Sequence, residues 1–420
     1  MKKTVLYIRS DIMHEPLIAG GSVTHTIGVI QALIKQGVSL MCAASCMQEQ
    51  LAECTGMHQQ ISLRMPASLK FLRWKLNSFL STFFFAWRIA RNTQLCTVTH
   101  LYQRYSILNC TGVLLAWWYK KPFTLEYNGS ELWINTHWAR TQLLQLNWLI
   151  RAIEYINLRF ATHIIVVSQA LADELCARGI ATHKIAIIPN GVDVHQMASS
   201  ALVAERSAIR HQLAIENTFV LGFIGTFSQW HGIPIIAALI ERVARDQLPI
   251  HFMCIGDGPL LSMLRMQINA CSAEQLVTLT GLLPEPRARA YLAACDAFIA
   301  PNQSNTDGSR FFGSPTKLFA YMSMGKPIIA SKLEQLAQLI SPALELDDSL
   351  KLHGNYNTAV GIVVEPAATE QFYASLCALQ KMNESTRVAM GQRARALAVN
   401  HYSWDCHVRR IVKMWDTQHR

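Results

Sequence analysis

The chain has 420 residues, of which 51% are hydrophobic and 16% are charged, and this composition excludes intrinsic disorder. Its length favours two domains of roughly 200 residues each over a single core. The net charge of +10, from 38 Lys and Arg against 28 Asp and Glu, predicts attraction to anions but does not choose among nucleic acid, acidic lipid and a phosphorylated substrate.

The cysteines and the N-terminus predict a cytoplasmic protein. The eleven cysteines include no C-x-x-C pair, which is typical of reduced thiols. Cys406-His407 beside His401 lacks the spaced partners of a zinc site, so no bound metal is predicted. The first apolar run stops at Arg9, which is too short for a signal peptide, and no segment reaches the ~20 apolar residues of a membrane span.

The first half of the chain alternates short apolar runs with amphipathic segments. Strands are predicted at Thr4–Arg9, Ser39–Ala44, Val98–Gln103, Phe123–Tyr127, His163–Val167 and Lys184–Ile188. Helices are predicted at Val23–Lys35, Leu69–Arg91, Ile107–Tyr119, Thr141–Phe160 and Gln169–Arg178. Strands separated by helices predict a parallel sheet with helices on both faces.

The pattern breaks at Pro189-Asn190-Gly191, and strands resume at Phe219 as FVLGFIG, IHFMCIG, LVTLTG, DAFIAP, PIIAS and GIVVEP. This predicts two doubly wound α/β domains, at 1–190 and 191–399. A final helical stretch, Glu384–His419, is expected to return to the first domain with residues 400–420. In open α/β sheets ligands bind beyond the carboxyl ends of the strands, so we expect the two sheets to face a ligand-binding cleft.

Two groups of residues in the first half follow predicted strands. Gly20-Gly21 precedes a helix, where glycines allow close approach of an anion to helix N–H groups, although a plain loop explains the pair equally well. Glu126, Asn128 and Glu131 lie at the end of the strand in PFTLEYNGSELW. They suit a reacting or hydroxyl-binding site, and the alternative is an Asn-Gly turn with surface glutamates.

The second half carries two glycine turns after strands. Gly225-Thr226 and Gly256-Asp257-Gly258-Pro259 are both able to cradle phosphate oxygens. Neither fits the dinucleotide-binding or P-loop pattern, which argues against a dehydrogenase and an NTPase.

The stretch Ser314-Pro315-Thr316-Lys317 opens an apolar helix behind NTDGSRFFG. Ser314 is predicted to cap the helix, with Pro315 at its first position. A cap alone does not explain Lys317. The start of this helix would combine the helix dipole, free N–H groups, hydroxyls and an ammonium group. Together they predict a binding site for a diphosphate.

At this point the chain resembles the retaining glycosyltransferases of family 4, which have the two-domain GT-B fold. The resemblance rests on LEYNGSELW followed by HW, IIVVSQALADEL, KIAIIPNGVD, FIGTFSQWHG, IGDGP and FFGSPTKLFAYMSMGKPIIAS, in this order from Gly20 to about Pro366. It implies transfer of a sugar from a nucleotide-diphosphate donor with retention and without a bound metal or other cofactor.

The resemblance also implies roles for single residues. The residues implied to hold the nucleotide sugar are Gly20, Gly21, Thr226, His231, Gly256, Gly258, Asp307, Ser309, Ser314, Pro315, Thr316 and Lys317. Three residues are assigned to catalysis. They are Lys317, Asn128 beside the donor sugar, and Glu126 towards the acceptor hydroxyl. Thr226 and His231 stand where many relatives carry Arg and Lys.

The chain departs from the family at the two positions that most members fill with glutamate, which here are Phe312 and Ala320. Asp307 is a candidate substitute for the first. Loss of the second removes a charge-assisted bond to ribose, worth about 1.5–3 kcal/mol. The alternative to an active enzyme is therefore a catalytically silent partner or scaffold subunit.

The segment 69–91 mixes cations such as Lys70, Arg73 and Lys75 with large aromatic residues. Such a helix suits an anionic membrane surface, and the alternative is an ordinary packed helix with exposed cations. No nucleic-acid-binding module is recognisable. The sequence thus predicts a peripheral glycosyltransferase that builds cell-surface glycans on a glycan or lipid-linked acceptor, with UDP or GDP as the donor nucleotide.

Overall fold

The structure is a computed structural model that describes residues 3–11, 20–46, 48–55, 60–63, 74–92, 95–137, 147–198 and 201–417. It divides the chain into two compact units. The first unit contains Met1–Ile18, Ser22–Pro189 and His407–Arg420, and the second contains Ala19–Gly21 and Asn190–Cys406.

The first unit is built on a seven-stranded parallel sheet with the order β3-β2-β1-β4-β5-β6-β7. Its strands are β1 (Thr4–Arg9), β2 (Ser39–Ala44), β3 (Gln60–Ser62), β4 (His100–Arg104), β5 (Phe123–Tyr127), β6 (His163–Val166) and β7 (Ile185–Ile187). The central strands are buried on both faces, which is why most of their residues are apolar.

The helices of this part of the chain connect successive strands. They are α1 (Gly21–Lys35), α2 (Gln48–Thr55), α3 (Trp74–Asn92), α4 (Thr111–Tyr119), α5 (Glu131–His137), α6 (Asn147–Phe160) and α7 (Gln169–Ala177). The prediction missed α2, β3 and α5. The first residues of the predicted helices 69–91 and 141–160 lie outside the described residues.

The second unit is built on an eight-stranded sheet with the order β10-β9-β8-β11-β12-β15-β13-β14. Its strands are β8 (Phe219–Ile224), β9 (Ile250–Ile255), β10 (Val277–Leu279), β11 (Ala297–Ala300), β12 (Ile328–Ser331), β13 (Ala343–Leu346), β14 (Leu352–His353) and β15 (Gly361–Val364). All pairs are parallel except β13 with β14. The fold class predicted from the sequence, with two parallel-sheet α/β domains, is confirmed.

The remaining helices pack on this sheet or follow it. They are α8 (Ala201–Gln212), α9 (Ile233–Arg245), α10 (Leu261–Ala270), α11 (Glu285–Ala293), α12 (Thr316–Met324), α13 (Glu334–Leu339), α14 (Thr369–Lys381), α15 (Glu384–His401) and α16 (Trp404–Thr417). The prediction missed α8, which lies between Asn190 and Phe219. The final helical stretch, predicted as Glu384–His419, is interrupted at Tyr402-Ser403 and forms α15 and α16.

The end of α16 packs in the core of the first unit. Trp415 is fully buried, donates a hydrogen bond from Nε1 to Thr124 Oγ1 at 2.8 Å and lies 5.1 Å from the His100 ring. Asp416 forms an ion pair with Lys3. Across the described part of the chain, no helix is long and apolar enough to cross a membrane, and no three His, Cys, Asp or Glu side chains are placed to hold a metal ion.

Candidate functional site

The start of α12 lies at the carboxyl end of the second sheet, after β11. Contrary to the prediction, Ser314 does not cap the helix: Pro315 occupies the N-cap position, and no side chain caps the first amides. The Ser314 hydroxyl instead accepts a hydrogen bond from the Asn190 backbone N–H at 3.3 Å, and its carbonyl accepts one from Asn190 Nδ2 at 2.7 Å. The helix therefore begins with amides that no side chain satisfies, as an anion site requires.

Lys317, the second residue of α12, is buried with only 7% of its surface exposed. Its Nζ atom has no hydrogen-bond partner among the described residues and lies 4.7 Å from the centroid of the Phe223 ring, at the end of β8. Burial lowers the pKa of Lys317 to about 7. A buried ammonium group without a counterion is costly, and a bound anion would remove that cost.

His231 lies in the turn that follows β8. Its Nδ1 atom is 2.7 Å from the carbonyl oxygen of Thr226, and we assign the ring proton to Nδ1 because a carbonyl can only accept. Burial, with a smaller contribution from Lys317, lowers the pKa of His231 to about 3. At neutral pH the ring therefore presents an acceptor at Nε2, and it is not the second cation that a Lys would supply at this position.

The two glycine turns pack against each other. The Gly225 N–H donates to the Ile255 carbonyl and the Gly256 N–H to the Gly281 carbonyl, both at 3.0 Å, and the Gly258 N–H donates to Asp257 Oδ1 at 2.6 Å. A Cβ atom at Gly256 would lie 2.1 Å from the Gly225 carbonyl oxygen. The glycines thus allow close packing of the turns, and these three amides already have acceptors within the protein.

The loop before α12 is held by its own polar side chains. Asp307 Oδ1 accepts hydrogen bonds from the Ser309 N–H at 3.0 Å and from its hydroxyl at 2.6 Å, and Asn305 Nδ2 donates to Ser309 Oγ at 3.1 Å. Asp307 is exposed. Phe312 is buried, and Ala320 packs from a partly buried position against the apolar core that includes Leu318 and Phe319, so neither supplies a polar group.

In the first unit, Glu126 is the centre of a buried charged cluster at the carboxyl ends of β4 and β5. Its Oε1 atom accepts from Arg104 Nη1 at 2.6 Å and from Asn128 Nδ2 at 2.7 Å, and Oε2 accepts from the Tyr102 hydroxyl at 2.8 Å. His25 Nε2 lies 3.4 Å from Oε1. Glu126 is 1% exposed.

The charges of this cluster follow from burial and pairing. Burial alone would raise the pKa of Glu126, but His25, Arg104 and the hydrogen bonds from Asn128 and Tyr102 lower it to about 2. Burial lowers the pKa of His25 to about 3, so Arg104 is the cation that holds Glu126 ionised at neutral pH. These facts argue against the predicted approach of Glu126 to an acceptor hydroxyl. Its carboxylate orients Arg104 and the partly exposed Asn128.

Three other predicted positions are Glu131, Gly20 and Gly21. Burial, then Asp11, raises the pKa of Glu131 to about 7. Gly20 is exposed with φ of 113°, and Gly21, which belongs to the second unit, has no room for a side chain because a Cβ would lie 2.6 Å from Thr316 Oγ1. Gly21 is thus placed beside the start of α12.

Sequence reasoning missed Arg104, His25 and Arg9. Arg9 is buried at the end of β1, where Nε contacts Asp11 at 2.8 Å and Nη2 donates to Ser22 Oγ at 2.6 Å. Arg9 and Arg104 could have been recognised as site residues from the sequence, because each is a charged residue at the end of an apolar strand. His25 carried no comparable signal, because its partners come from other elements.

Two family models match the chain. Residues 19–196 match the model described as Glycosyltransferase Family 4, and residues 218–381 match the model described as Glycosyl transferases group 1. Together the two matches cover most of the chain.

Curated relatives are distant. The alpha-monoglucosyldiacylglycerol synthase of Streptococcus pneumoniae is 24% identical over 258 residues, which is 61% of this chain and 56% of that protein. The putative colanic acid biosynthesis glycosyltransferase WcaL of Salmonella typhimurium is 21% identical over 174 residues, 41% of this chain and 40% of WcaL. The chain thus spans about half the length of the curated relatives it matches.

Among solved structures, HepE of Anabaena in complex with UDP superposes with a TM-score of 0.69 at 17% identity, covering 99% of this chain and 100% of HepE. The same protein in complex with UDP-glucose gives a TM-score of 0.69 at 15% identity, with 99% of each chain covered. At this identity the likeness shows the fold alone.

Proposed function

Because the chain belongs to glycosyltransferase family 4, we propose that it transfers a sugar from a nucleotide-diphosphate donor to a glycan or lipid-linked acceptor of the cell surface. The observation that carries this proposal is Lys317, whose buried Nζ atom has no hydrogen-bond partner among the described residues and lies at the uncapped start of α12. In this site the diphosphate would lie against the amides of α12 with Lys317 as its counterion.

The chemistry of the leaving group explains why such a site serves sugar transfer. Cleavage of the bond between the anomeric carbon and the diphosphate oxygen leaves a negative diphosphate and an oxocarbenium-like sugar. Fixed donors around the departing phosphate stabilise that charge, and this is the largest contribution that the residues of the second unit can make. In a retaining transfer, the acceptor oxygen bonds from the face that the phosphate leaves, and the acceptor proton passes to the phosphate, so the proposal needs no protein base.

UDP is the first nucleotide to test, since HepE was solved with UDP and with UDP-glucose, and GDP is the alternative. The proposal includes retention and, in line with the resemblance, no bound metal or cofactor. The polysaccharide and glycolipid enzymes among the relatives support a cell-surface product. The proposal also places the protein in the cytoplasm, at the surface of an anionic membrane that segment 69–91 contacts.

A silent subunit remains the second candidate, favoured by Ala320 in place of the ribose-binding glutamate. The two candidates separate in one experiment, which screens the purified protein against UDP, GDP and a panel of their sugars by thermal shift and isothermal titration. An enzyme binds at least one of these nucleotides and hydrolyses or transfers its sugar. Absence of heat and of stabilisation with every nucleotide would overturn the enzymatic proposal.

Segment 69–91 has its own test in co-sedimentation with anionic liposomes. The side chains of Lys70, Arg73 and Lys75 lie outside the described residues, and their replacement by Glu is expected to reduce binding. Unchanged binding of that triple variant would show that this segment is not the contact.

A further inference from the structure

A long stretch of the first unit contains no acidic residue. From Cys54 to Leu125 the chain has 72 residues, with nine Lys or Arg and no Asp or Glu. This stretch includes α3 and α4. All charged side chains of these two neighbouring helices are therefore positive, and a partner that binds them should be anionic.

Helices α3, α4 and α6 form one layer. Thr82 of α3 accepts a hydrogen bond from the Cys110 N–H at 3.1 Å, at the start of α4, and Asn157 of α6 donates to the Asn109 carbonyl at 3.0 Å. The strand order places the connections from β3 to β4, β4 to β5 and β5 to β6 on one face of the sheet, because parallel crossovers are right-handed.

The last turns of these three helices come together at one edge. Each helix runs back from the carboxyl end of one strand to the amino end of the next, so their C-terminal ends lie together beside the amino ends of the strands. This edge is opposite to the one that holds Glu126 and Asn128. The six side chains that define it here, called the Trp-Lys edge, are Trp87, Arg91, Trp117, Trp118, Lys120 and Phe160.

The Trp-Lys edge exposes large aromatic side chains to an unusual degree. Trp117 is 79% exposed, Trp118 is 68% exposed and Phe160 is 63% exposed. Arg91 lies over the Trp87 ring at 4.9 Å from its centroid. Several exposed aromatic rings at the ends of adjacent helices, with the exposed cations Arg91 and Lys120 on two of these helix ends, mark an interaction surface.

We propose that the Trp-Lys edge docks the protein on the headgroup region of an anionic bilayer. Indole rings partition into the membrane interface, where the ring is partly buried and its N–H group stays hydrated, while Lys120 and Arg91 pair with lipid phosphates. The surface adds α4 and the end of α6 to the segment proposed above, and it does not depend on the donor site.

Charge distinguishes a bilayer from a second copy of this chain as the occupant. A copy of the same edge would bring cations against cations. The one acidic residue of α6, Glu154, is 3% exposed and paired with Arg178 at 2.9 Å, so it offers no counter-charge to a copy. An anionic lipid surface satisfies the cations and the aromatic rings together.

The test is co-sedimentation of the full-length protein with vesicles of phosphatidylcholine alone and with 30% phosphatidylglycerol added. We expect binding only to the anionic vesicles, weakened in 0.5 M NaCl. The double variant Lys120→Glu/Lys121→Glu is expected to lower the partition coefficient at least tenfold, and Trp117→Ala/Trp118→Ala at least fivefold. All four positions are at the surface or partly exposed, and circular dichroism melting verifies that both variants fold.

The matched control is Lys351→Glu/Lys381→Glu, which makes the same charge change at exposed positions of the second unit and should bind as the wild type does. Binding of all three double variants at the wild-type level would overturn the proposal. Failure of the wild type to bind vesicles, together with a dimer that the Trp117→Ala/Trp118→Ala variant dissociates, would also overturn it in favour of an interface between copies.

Discussion

The Nζ atom of Lys317 lies 4.7 Å from the centroid of the Phe223 ring, and burial lowers the pKa of this lysine to about 7. Within the part of the chain that the structure describes, no charged group offsets that burial. A diphosphate bound at the start of α12 would favour the protonated form, so binding should take up a proton wherever free Lys317 is neutral.

The first prediction is therefore a pH dependence of donor affinity. Above about pH 7, affinity for UDP-glucose should fall by up to tenfold per pH unit, because each binding event must protonate Lys317. Below that pH the affinity should level off. Isothermal titration at pH 6, 7, 8 and 9 measures this. Lys317→Arg, which stays protonated throughout, is the control and should bind with little dependence on pH.

The second prediction concerns stability and compares two glutamates of the first unit. Glu126→Gln leaves the partly buried Arg104 without its counterion and should lower the free energy of unfolding by about 2 kcal/mol at pH 7. Because the pKa of Glu126 is lowered in the fold, its contribution is present above about pH 4.5 and is lost as the pH falls towards 2. Urea unfolding from pH 3 to pH 7 should show that the free energy of unfolding depends less on pH in the variant than in the wild type.

Glu131→Gln should behave in the opposite way. The pKa of Glu131 is raised in the fold, so the native state loses stability as the pH rises from about 4.5 to about 7, where the unfolded chain has already released this proton and the partly buried native carboxyl still holds it. The amide removes that loss, and the variant should be at least as stable as the wild type at pH 8. A variant that is strongly destabilised at pH 8 but not at pH 5 would contradict the assignment.

The third prediction concerns the packed glycine turns. Gly256→Ala should lower the free energy of unfolding by about 3 kcal/mol, because φ is 131° and the new Cβ would lie 2.1 Å from the Gly225 carbonyl oxygen. Gly281→Ala is the control: φ is 70° but no atom lies within 4 Å of its Cβ, so a cost of about 1 kcal/mol is expected. Equal costs would refute the packing role.

The fourth prediction concerns the position that departs from the family. Ala320→Glu should restore a charge-assisted bond to ribose and raise donor affinity by roughly one to two decades. Titration with UDP and with UDP-glucose measures the gain. An unchanged affinity in a folded variant would mean that the ribose of this donor lies away from position 320.

The sequence predicted the strands that are buried on both faces, because β11 and β15 are continuous apolar runs and β1, β5 and β9 are mostly apolar, a pattern that does not depend on their neighbours. It missed β3, which has three residues and no periodicity. The cap at Ser314 was wrong because its hydroxyl pairs with Asn190, a partner 124 positions away in the chain. The pairing of Arg104 with Glu126 was equally hidden, since it depends on the register of β4 with β5.

The most direct test of the central claim is isothermal titration of UDP and GDP, with their sugars, into the wild type and Lys317→Ala at pH 7. We expect the wild type to bind at least one of them and the variant to bind it at least tenfold more weakly. The melting temperature of the variant should be maintained or raised, because the substitution removes a buried amine that has no hydrogen-bond partner among the described residues. Equal affinity in the two proteins would contradict the claim that a diphosphate docks on Lys317 at the start of α12.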